Sequence, residues 1–430
     1  MATHAPMIPR TALKYMTRFR CIGPDCEASC CVGWGITLDQ PHYQRLRRAL
    51  VAGKDARADF DAKIQRIHGP AHSPSRHALM VLQDDGKCPM LSPDWLCSLQ
   101  TRFGEGLLPD TCAMYPRWVT RIRGHLELTG VTSCPEVTRQ LLLADDAIDV
   151  VEADPAIFAR PLIVHREVPD VAAPYPHLHE AVRDVVLLLL SVRDLSHADR
   201  LFLVAYFGHR TAPFFHQESS EPLDVRFAAE ADRMADPALQ RELAVRRAQL
   251  PTGHDVAVSL AMHLLAHRAS PVQNDAFNQL IGDAIQALAG DGDALAGGPV
   301  EPAKLLAAYE ISKRRWESAF GPRLDQYFSN LAKNYWIREP YTLSTNLLVH
   351  THTLLVRHAV IRFLLFGHPL LAGPVDAADA ATLLDRAIVE VVHRFSRRFE
   401  HDQRFMTTLS ERLADRGMQT LAHAACLLAF

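Results

Sequence analysis

The chain has 430 residues, of which 48% are hydrophobic and 22% charged, and its formal net charge at pH 7 is −3. This balance gives no strong attraction to nucleic acid or anionic lipid, and the apolar runs are shorter than the roughly 20 residues that a membrane-spanning helix needs. We therefore expect a soluble protein of two or three domains, with no nucleic-acid partner and no membrane insertion.

Cysteine is concentrated at the start of the chain, where eight of the nine residues lie within the first 134 positions. Thiolates are strong ligands for iron–sulfur clusters and for zinc, and either centre needs several of them on a small piece of the chain. The first four are spaced C-x4-C-x3-C-C, which matches neither the ferredoxin run nor paired zinc knuckles, so both metals stay open. The predicted metal ligands are Cys21, Cys26, Cys30, Cys31, Cys88, Cys97, Cys112 and Cys134.

A disulfide scaffold is the rival interpretation of these cysteines. Such scaffolds are typical of small secreted domains that cannot bury enough apolar surface, whereas this chain is long and rich in hydrophobic residues. Its first residues, Met-Ala-Thr-His-Ala-Pro, show no charged segment followed by an apolar one, as a secretory signal would. We therefore expect reduced thiols and a cytoplasmic location.

Residues 1–150 are predicted to form a compact, loop-rich module in which helical pieces alternate with turns such as Asp84-Asp85-Gly86. The segment 151–176 contains five prolines, which disfavour a helix, so we interpret it as a linker. The predicted organisation is a cysteine-rich module that binds a metal or cluster, a linker and a second domain at 177–430.

Residues 177–430 show apolar positions at intervals of three and four, as in Ala181, Val185 and Leu188, which is typical of amphipathic helices. The predicted fold class is therefore mainly α, with an irregular α-helical bundle following the cysteine-rich module. Glycine and proline divide this half into seven to nine predicted helices. The predicted breaks are Gly208, Pro251-Thr252-Gly253, 289–299, Gly321-Pro322 and Gly367-His368-Pro369.

Two familiar kinds of site are excluded, one by the spacing of the cysteines and one by the context of a glycine-rich stretch. A radical S-adenosylmethionine enzyme needs C-x3-C-x2-C; Cys26 and Cys30 supply the first interval, but Gly33 stands where the third cysteine would be. The glycine-rich stretch 289–293 follows no predicted strand, so it fails the context test for a nucleotide-binding turn.

The cysteine blocks resemble those of a known family. The run from Phe19-Arg20-Cys21 through Cys30-Cys31 to Gly33-Trp34 and Ile36-Thr37-Leu38-Asp39 is similar to the opening of the flagellin lysine-N-methylase family. Later blocks resemble that family in type, order and approximate spacing. They are Cys88-Pro89-Met90-Leu91 with Leu96-Cys97, Asp110-Thr111-Cys112 with Tyr115-Pro116-Arg117, Ser133-Cys134-Pro135-Glu136-Val137 and Phe395-Ser396-Arg397-Arg398-Phe399-Glu400-His401.

The resemblance implies a methyltransferase that uses S-adenosylmethionine to methylate lysine side chains of flagellin, not of the radical type. It also implies that the cysteines hold an iron–sulfur cluster, with a four-iron, four-sulfur (4Fe-4S) centre expected and zinc as the alternative. Another protein or a small amine is an alternative substrate. A wider group of cysteine-cluster proteins that chelate iron or zinc is also similar, so a non-catalytic metal-binding or redox-sensing module that docks to a protein partner is the second hypothesis.

Methyl transfer sets requirements for the site. The lysine amine must lose a proton before it attacks the sulfonium methyl, which requires a general base or a desolvated pocket, and the donor requires groups that tolerate a cation. Arginine also balances the charge of a cluster and glutamate also caps a helix, so these candidates have structural interpretations too. The catalytic candidates are Tyr115, Tyr335, Glu400 and His401, and the candidates for cofactor binding are Trp34, Arg117, Glu136 and Asn334.

Overall fold

The computed structural model describes residues 8–160, 162–171, 174–250, 275–290, 302–344, 346–400, 415 and 417–429. Within these ranges the fold is mainly helical, and the second half is an irregular bundle, so the predicted fold class is confirmed. The loop-rich character of the first part is supported only in part, because short strands occur there as well.

Six short helices lie in the first 143 residues. α2 begins where Asp39 accepts a hydrogen bond from the backbone N–H of His42 at 2.6 Å, and Pro41 occupies the first turn, where its missing N–H costs nothing. Pro135 has the same role at the start of α6. The six helices are α1 (Lys14–Arg18), α2 (Gln40–Leu50), α3 (Lys54–Lys63), α4 (Ser98–Phe103), α5 (Asp110–Met114) and α6 (Pro135–Leu143).

Eight strands form two small sheets, which the sequence analysis did not predict. Six of the eight have four residues or fewer, so the alternation of apolar and polar positions does not stand out in the sequence. The strands are β1 (Arg10–Leu13), β2 (Thr37–Leu38), β3 (Ile64–Arg66), β4 (Ala78–Met80), β5 (Arg117–Ile122), β6 (His125–Gly130), β7 (Val150–Glu152) and β8 (Arg166–Val168). The five-stranded sheet has the order β7-β1-β6-β5-β8, with β1 parallel to β6 and β5 parallel to β8, and the three-stranded antiparallel sheet has the order β2-β4-β3.

The predicted linker at 151–176 is part of the five-stranded sheet. β7 pairs with β1, where Glu152 lies opposite Thr11, and β8 pairs with β5, where Arg166 lies opposite Thr120. Pro155 begins a short 3₁₀ turn between these strands. The segment therefore supplies both edges of the sheet instead of a free connection, because its prolines lie outside the paired residues.

Ten helices are described after residue 173. α14 is buried on almost every side and packs against α9, α13, α15 and α16, so it is the centre of the bundle. No described helix combines the length and the apolar character needed to cross a membrane. The helices are α7 (Pro174–His177), α8 (His179–Leu189), α9 (His197–Thr211), α10 (Leu223–Ala235), α11 (Pro237–Gln249), α12 (Asp275–Ala289), α13 (Pro302–Arg338), α14 (Leu347–Phe366), α15 (Ala380–Phe399) and α16 (Leu421–Leu428).

The predicted helix breaks have different outcomes. Gly208 lies inside α9, where a Cβ would be 2.9 Å from Oγ1 of Thr351, so this glycine permits close helix packing and the predicted break is wrong. α13 continues through Gly321-Pro322 with non-helical angles at Phe320, so proline kinks the helix without ending it. α14 ends at Phe366, as the following glycine predicts. Pro251-Thr252-Gly253 and 291–299 lie outside the described residues.

Two hydrophobic cores organise the described residues. The smaller core lies within 36–113 and includes Leu46, Phe60 and Met80. The larger core joins the five-stranded sheet to the helices, with Leu128 of β6 and Phe328 of α13 among its members. The sheet therefore packs with the helical half, and the cysteine-rich loops surround the smaller core.

Candidate functional site

Five cysteines line one cavity beside the smaller core. They come from separate segments, because α4 begins after Cys97, α5 contains Cys112, and the others lie in loops. None of the nine cysteines, all of which are described, forms a disulfide. We call this the cysteine cavity, and the cysteines that line it are Cys30, Cys31, Cys88, Cys97 and Cys112.

Backbone hydrogen bonds hold these loops together. The N–H of Cys88 donates to the carbonyl of Cys31 at 2.8 Å, and Val32 pairs with Lys87 in an isolated bridge. Leu91 and Cys97 form a second bridge. The thiols therefore lie on loops whose positions are set by main-chain contacts.

The thiols differ in how readily they lose a proton. The Cys31 thiol hydrogen-bonds to the Cys30 sulfur, which lowers the pKa of Cys30 to about 7 and raises that of Cys31. Burial raises the pKa of Cys88 and Cys112. A bound metal would therefore have to displace the protons of Cys31, Cys88 and Cys112.

The remaining three predicted ligands lie outside the lining of this cavity. Cys21 is exposed, Cys26 donates a hydrogen bond to the carbonyl of Ala28 at 3.4 Å, and Cys134 is buried at the start of α6. The structure therefore brings five of the eight predicted metal ligands together around one cavity.

Two aromatic candidates line the same cavity. Trp34 and Tyr115 have ring centroids 5.4 Å apart, and the indole N–H of Trp34 donates to the carbonyl of Cys30. The Tyr115 hydroxyl lies 3.3 Å from Oγ of Ser133. Both rings therefore pack among the cysteines, and Tyr115 also reaches the next segment of the chain.

A second cavity lies among α9, α13, α14 and the end of α15. Glu400 is its central charge and accepts hydrogen bonds from Thr132 at 2.9 Å, from Arg338 at 2.8 Å and from Arg357. The side chains of Glu400, Arg338 and Arg357 are each less than a tenth exposed. The residues that line this cavity are Thr132, His197, Leu201, Phe328, Leu331, Ala332, Asn334, Tyr335, Arg338, Leu354, Arg357, His358 and Glu400.

We call this second cavity the polar cavity. Three of the predicted residues line it: Asn334, Tyr335 and Glu400. The hydroxyl of Tyr15 donates to Oδ1 of Asn334 at 2.8 Å, and the guanidinium of Arg357 lies 5.2 Å from the centre of the Tyr335 ring. Burial raises the pKa of Tyr335, so its hydroxyl keeps its proton. Proximity in sequence alone did not indicate that residues 334, 335 and 400 would meet.

The two cavities are connected by the segment Thr132-Ser133-Cys134. Thr132 hydrogen-bonds to Glu400 in the polar cavity, and Ser133 contacts Tyr115 in the wall of the cysteine cavity. Two adjacent residues, Thr132 and Ser133, therefore contact different cavities.

The other predicted candidates make structural contacts or lie outside the described residues. Arg117 donates to the carbonyl of Ile157 at 2.7 Å. Glu136 accepts from Gln140 at 2.8 Å and pairs with Arg139, which also pairs with Glu27. His401 lies outside the described residues.

Four charged or titratable residues that line the polar cavity were not predicted from the sequence: His197, Arg338, Arg357 and His358. Burial lowers the pKa of both histidines well below the usual value, so they are neutral. A signal was present for two of them, because Arg357 and His358 interrupt the apolar run of α14. Charged or titratable residues in a helix that is apolar all round indicate a buried polar site.

Comparisons with known proteins place these features in context. The family model described as FliB lysine N-methylase C-terminal domain matches residues 183–427. Lysine-N-methylases of Salmonella typhimurium and Salmonella choleraesuis are 32% and 31% identical over 142 residues, which is 32% of this chain and 33% of each relative. The flagellar biosynthetic protein FliU of Salmonella muenchen is 32% identical over 138 residues, which is 31% of this chain and 77% of that protein.

The alignment spans about a third of the length of the two lysine-N-methylases. No solved structure matches the chain. The polar cavity lies almost wholly within the residues that the family model matches, with Thr132 as the exception.

Proposed function

Because the chain belongs to the FliB lysine N-methylase family, we propose that it transfers a methyl group from S-adenosylmethionine to lysine side chains, with flagellin as the protein substrate. The observation that carries this proposal is the buried polar cavity around Glu400, which is built from the segment that the family model matches. The names of the relatives, lysine-N-methylase and flagellar biosynthetic protein, support the reaction and the flagellar substrate.

The reaction forms a bond between the lysine nitrogen and the methyl carbon while the bond from that carbon to sulfur breaks, and the amine must first release a proton. Both oxygens of Glu400 are engaged by arginines, and Tyr335 keeps its proton. We infer that neither group is the general base, and that desolvation beside two buried arginines lowers the pKa of the amine instead. The amine then reaches the sulfonium in its neutral, nucleophilic form.

The five cysteines that line one cavity fit an iron–sulfur cluster. All five donors are thiols, the ligands that bind iron in such clusters. When bound, the cluster supplies an inorganic centre that joins several chain segments and contributes to their folding free energy. Because such thiols must stay reduced, we place the protein in the cytoplasm.

The experiment is a methyl-transfer assay. Anaerobically purified protein is incubated with methyl-labelled S-adenosylmethionine and unmodified flagellin, and labelled lysines are located by mass spectrometry. We expect label on lysine side chains, and flagellin with acetylated lysines is the matched control that takes up none. Protein that retains its metal but labels no lysine of flagellin, of another protein or of a small amine would overturn the proposal and favour the metal-binding module.

A further inference from the structure

The polar cavity contains two buried arginines but one buried glutamate. Arg338 has a second carboxylate partner, because its Nε lies 3.2 Å from Oε1 of Glu339. Arg357 is paired with Glu400. The pair between Arg357 and Glu400 can therefore separate to receive a ligand without leaving Arg338 unpaired.

His197 points independently to a ligand. It lines the same cavity and is only 7% exposed, and neither of its ring nitrogens has a hydrogen-bond partner within the described residues. A buried polar atom without a partner costs about 1 to 3 kcal/mol, so native structures keep few of them. A polar group of a bound molecule would provide the missing hydrogen bond.

The lining is divided into polar and apolar parts. Thr132, Asn334 and Tyr335 add neutral polar groups to the charged ones. Apolar side chains complete the wall: Leu201, Phe328, Leu331, Ala332 and Leu354. This composition suits a ligand with a charged end and a less polar body.

We propose that this cavity binds the α-amino-acid end of S-adenosylmethionine, with the carboxylate on Arg357 and the ammonium on Glu400. The assignment rests on the proposed function and locates the methyl-donor site. A zwitterion adds one charge of each sign, so both Arg357 and Glu400 keep a partner of opposite charge after they separate. A lysine side chain in the same position would bring no carboxylate and would leave Arg357 without a partner of opposite charge.

The test compares two ligands of the 430-residue chain by calorimetry under anaerobic conditions. S-adenosylhomocysteine carries the amino-acid end, whereas 5′-methylthioadenosine lacks it. We expect Arg357→Gln to weaken S-adenosylhomocysteine binding about 10- to 100-fold, the range for a lost hydrogen bond to a charged group. Binding of 5′-methylthioadenosine stays unchanged, and this second ligand also shows that the variant is folded.

Arg362→Gln is the matched control. Arg362 lies on the same helix, is 7% exposed like Arg357, and pairs with Glu317 outside the lining of the cavity. We expect this variant to bind both ligands as the wild type does. If Arg357→Gln does not fold, Arg357→Lys is measured instead. We expect this variant to lose less affinity, and again only for S-adenosylhomocysteine.

The outcomes separate the two proposals. If the Arg357 variant loses the same affinity for both ligands, or loses none for either, the placement of the amino-acid end is overturned. The proposed methyltransferase function is not affected by that result. Failure of the iron-loaded wild type to bind S-adenosylhomocysteine or S-adenosylmethionine overturns the proposed function, and the donor site with it.

Discussion

Arg397 and Val32 are joined by a hydrogen bond across 365 positions of the chain, with Nη2 of Arg397 3.0 Å from the carbonyl oxygen of Val32. The same nitrogen lies 3.2 Å from the carbonyl oxygen of Ser29. Both carbonyls belong to the loop that carries Cys30 and Cys31, and Arg397 lies three residues before Glu400. The end of α15 therefore contacts the loop of the cysteine cavity and the polar cavity at once.

Arg397→Gln is expected to weaken metal retention. The substitution removes the charged donor that fixes two carbonyls of the cysteine loop, and supporting contacts of this kind are worth about 10- to 100-fold in metal affinity. The measurement is the rate at which anaerobic protein loses iron to a chelator. Arg394→Gln is the control, because Arg394 lies on the same helix and donates to the carbonyl of Ala276. Equal rates in both variants would contradict the expected role of Arg397.

Cys112→Ser is expected to lower the iron content, whereas Cys426→Ser is not. Cys112 lines the cysteine cavity, and Cys426 lies in α16, far along the chain from the other cysteines. Serine retains the size of the side chain but is a poor ligand for iron in such clusters. Iron and acid-labile sulfide are measured in both variants purified in parallel. Wild-type iron in the Cys112 variant would remove it from the ligand set.

Glu400→Gln is expected to lower the free energy of unfolding by about 3 to 5 kcal/mol, because two buried arginines lose a carboxylate partner. The measurement is urea denaturation at neutral pH. Glu390→Gln on α15 is the control, since Glu390 is partly exposed beside Arg394 and a loss of no more than about 1 kcal/mol is expected. A Glu400 variant as stable as the control would show that the buried network is not a source of stability.

His350 is expected to make the protein less stable in mild acid. Burial lowers the pKa of His350 to about 3 from the usual 6.5, with His179 and Arg357 adding to the effect. Below pH 6.5 the unfolded chain binds a proton that the folded protein does not, so stability falls as pH falls toward 3, by up to about 1.4 kcal/mol per pH unit.

The variant His350→Asn is expected to show a shallower decline of stability between pH 6.5 and 5, measured by urea denaturation. Comparison at pH 8, where the histidine is neutral in both states, isolates the packing cost of losing its stacking on Tyr335. Identical slopes in wild type and variant would show that His350 is not buried as the structure has it.

The helical half could be predicted because its long helices repeat an apolar pattern that is visible in the sequence. The strands could not, because all are short and several pair with residues far along the chain, as Thr11 with Glu152; only β5 and β6 are joined by a short turn among the described strands. Within residues 151–176, the prolines gave no indication of the two short strands on either side of Pro155 or of helix α7, which begins at Pro174.

The candidate site was only partly accessible from sequence. The density of cysteines indicated a common centre, but which five line one cavity depends on how the loops before α4 and α5 return to Cys30 and Cys31. Asn334, Tyr335 and Glu400 were selected for their chemistry, and tertiary packing brought them together. Arg357 was missed although it interrupts an apolar helix, because it belongs to no recognised motif and Arg362 interrupts the same helix.

The most direct test of the central claim is the metal content and visible spectrum of the wild-type protein purified without oxygen. The cavity of five thiols predicts several iron atoms and a similar number of acid-labile sulfides per chain, with a brown chromophore that dithionite bleaches. A colourless protein without iron or sulfide, or one that holds zinc alone, would contradict an iron–sulfur centre in this cavity.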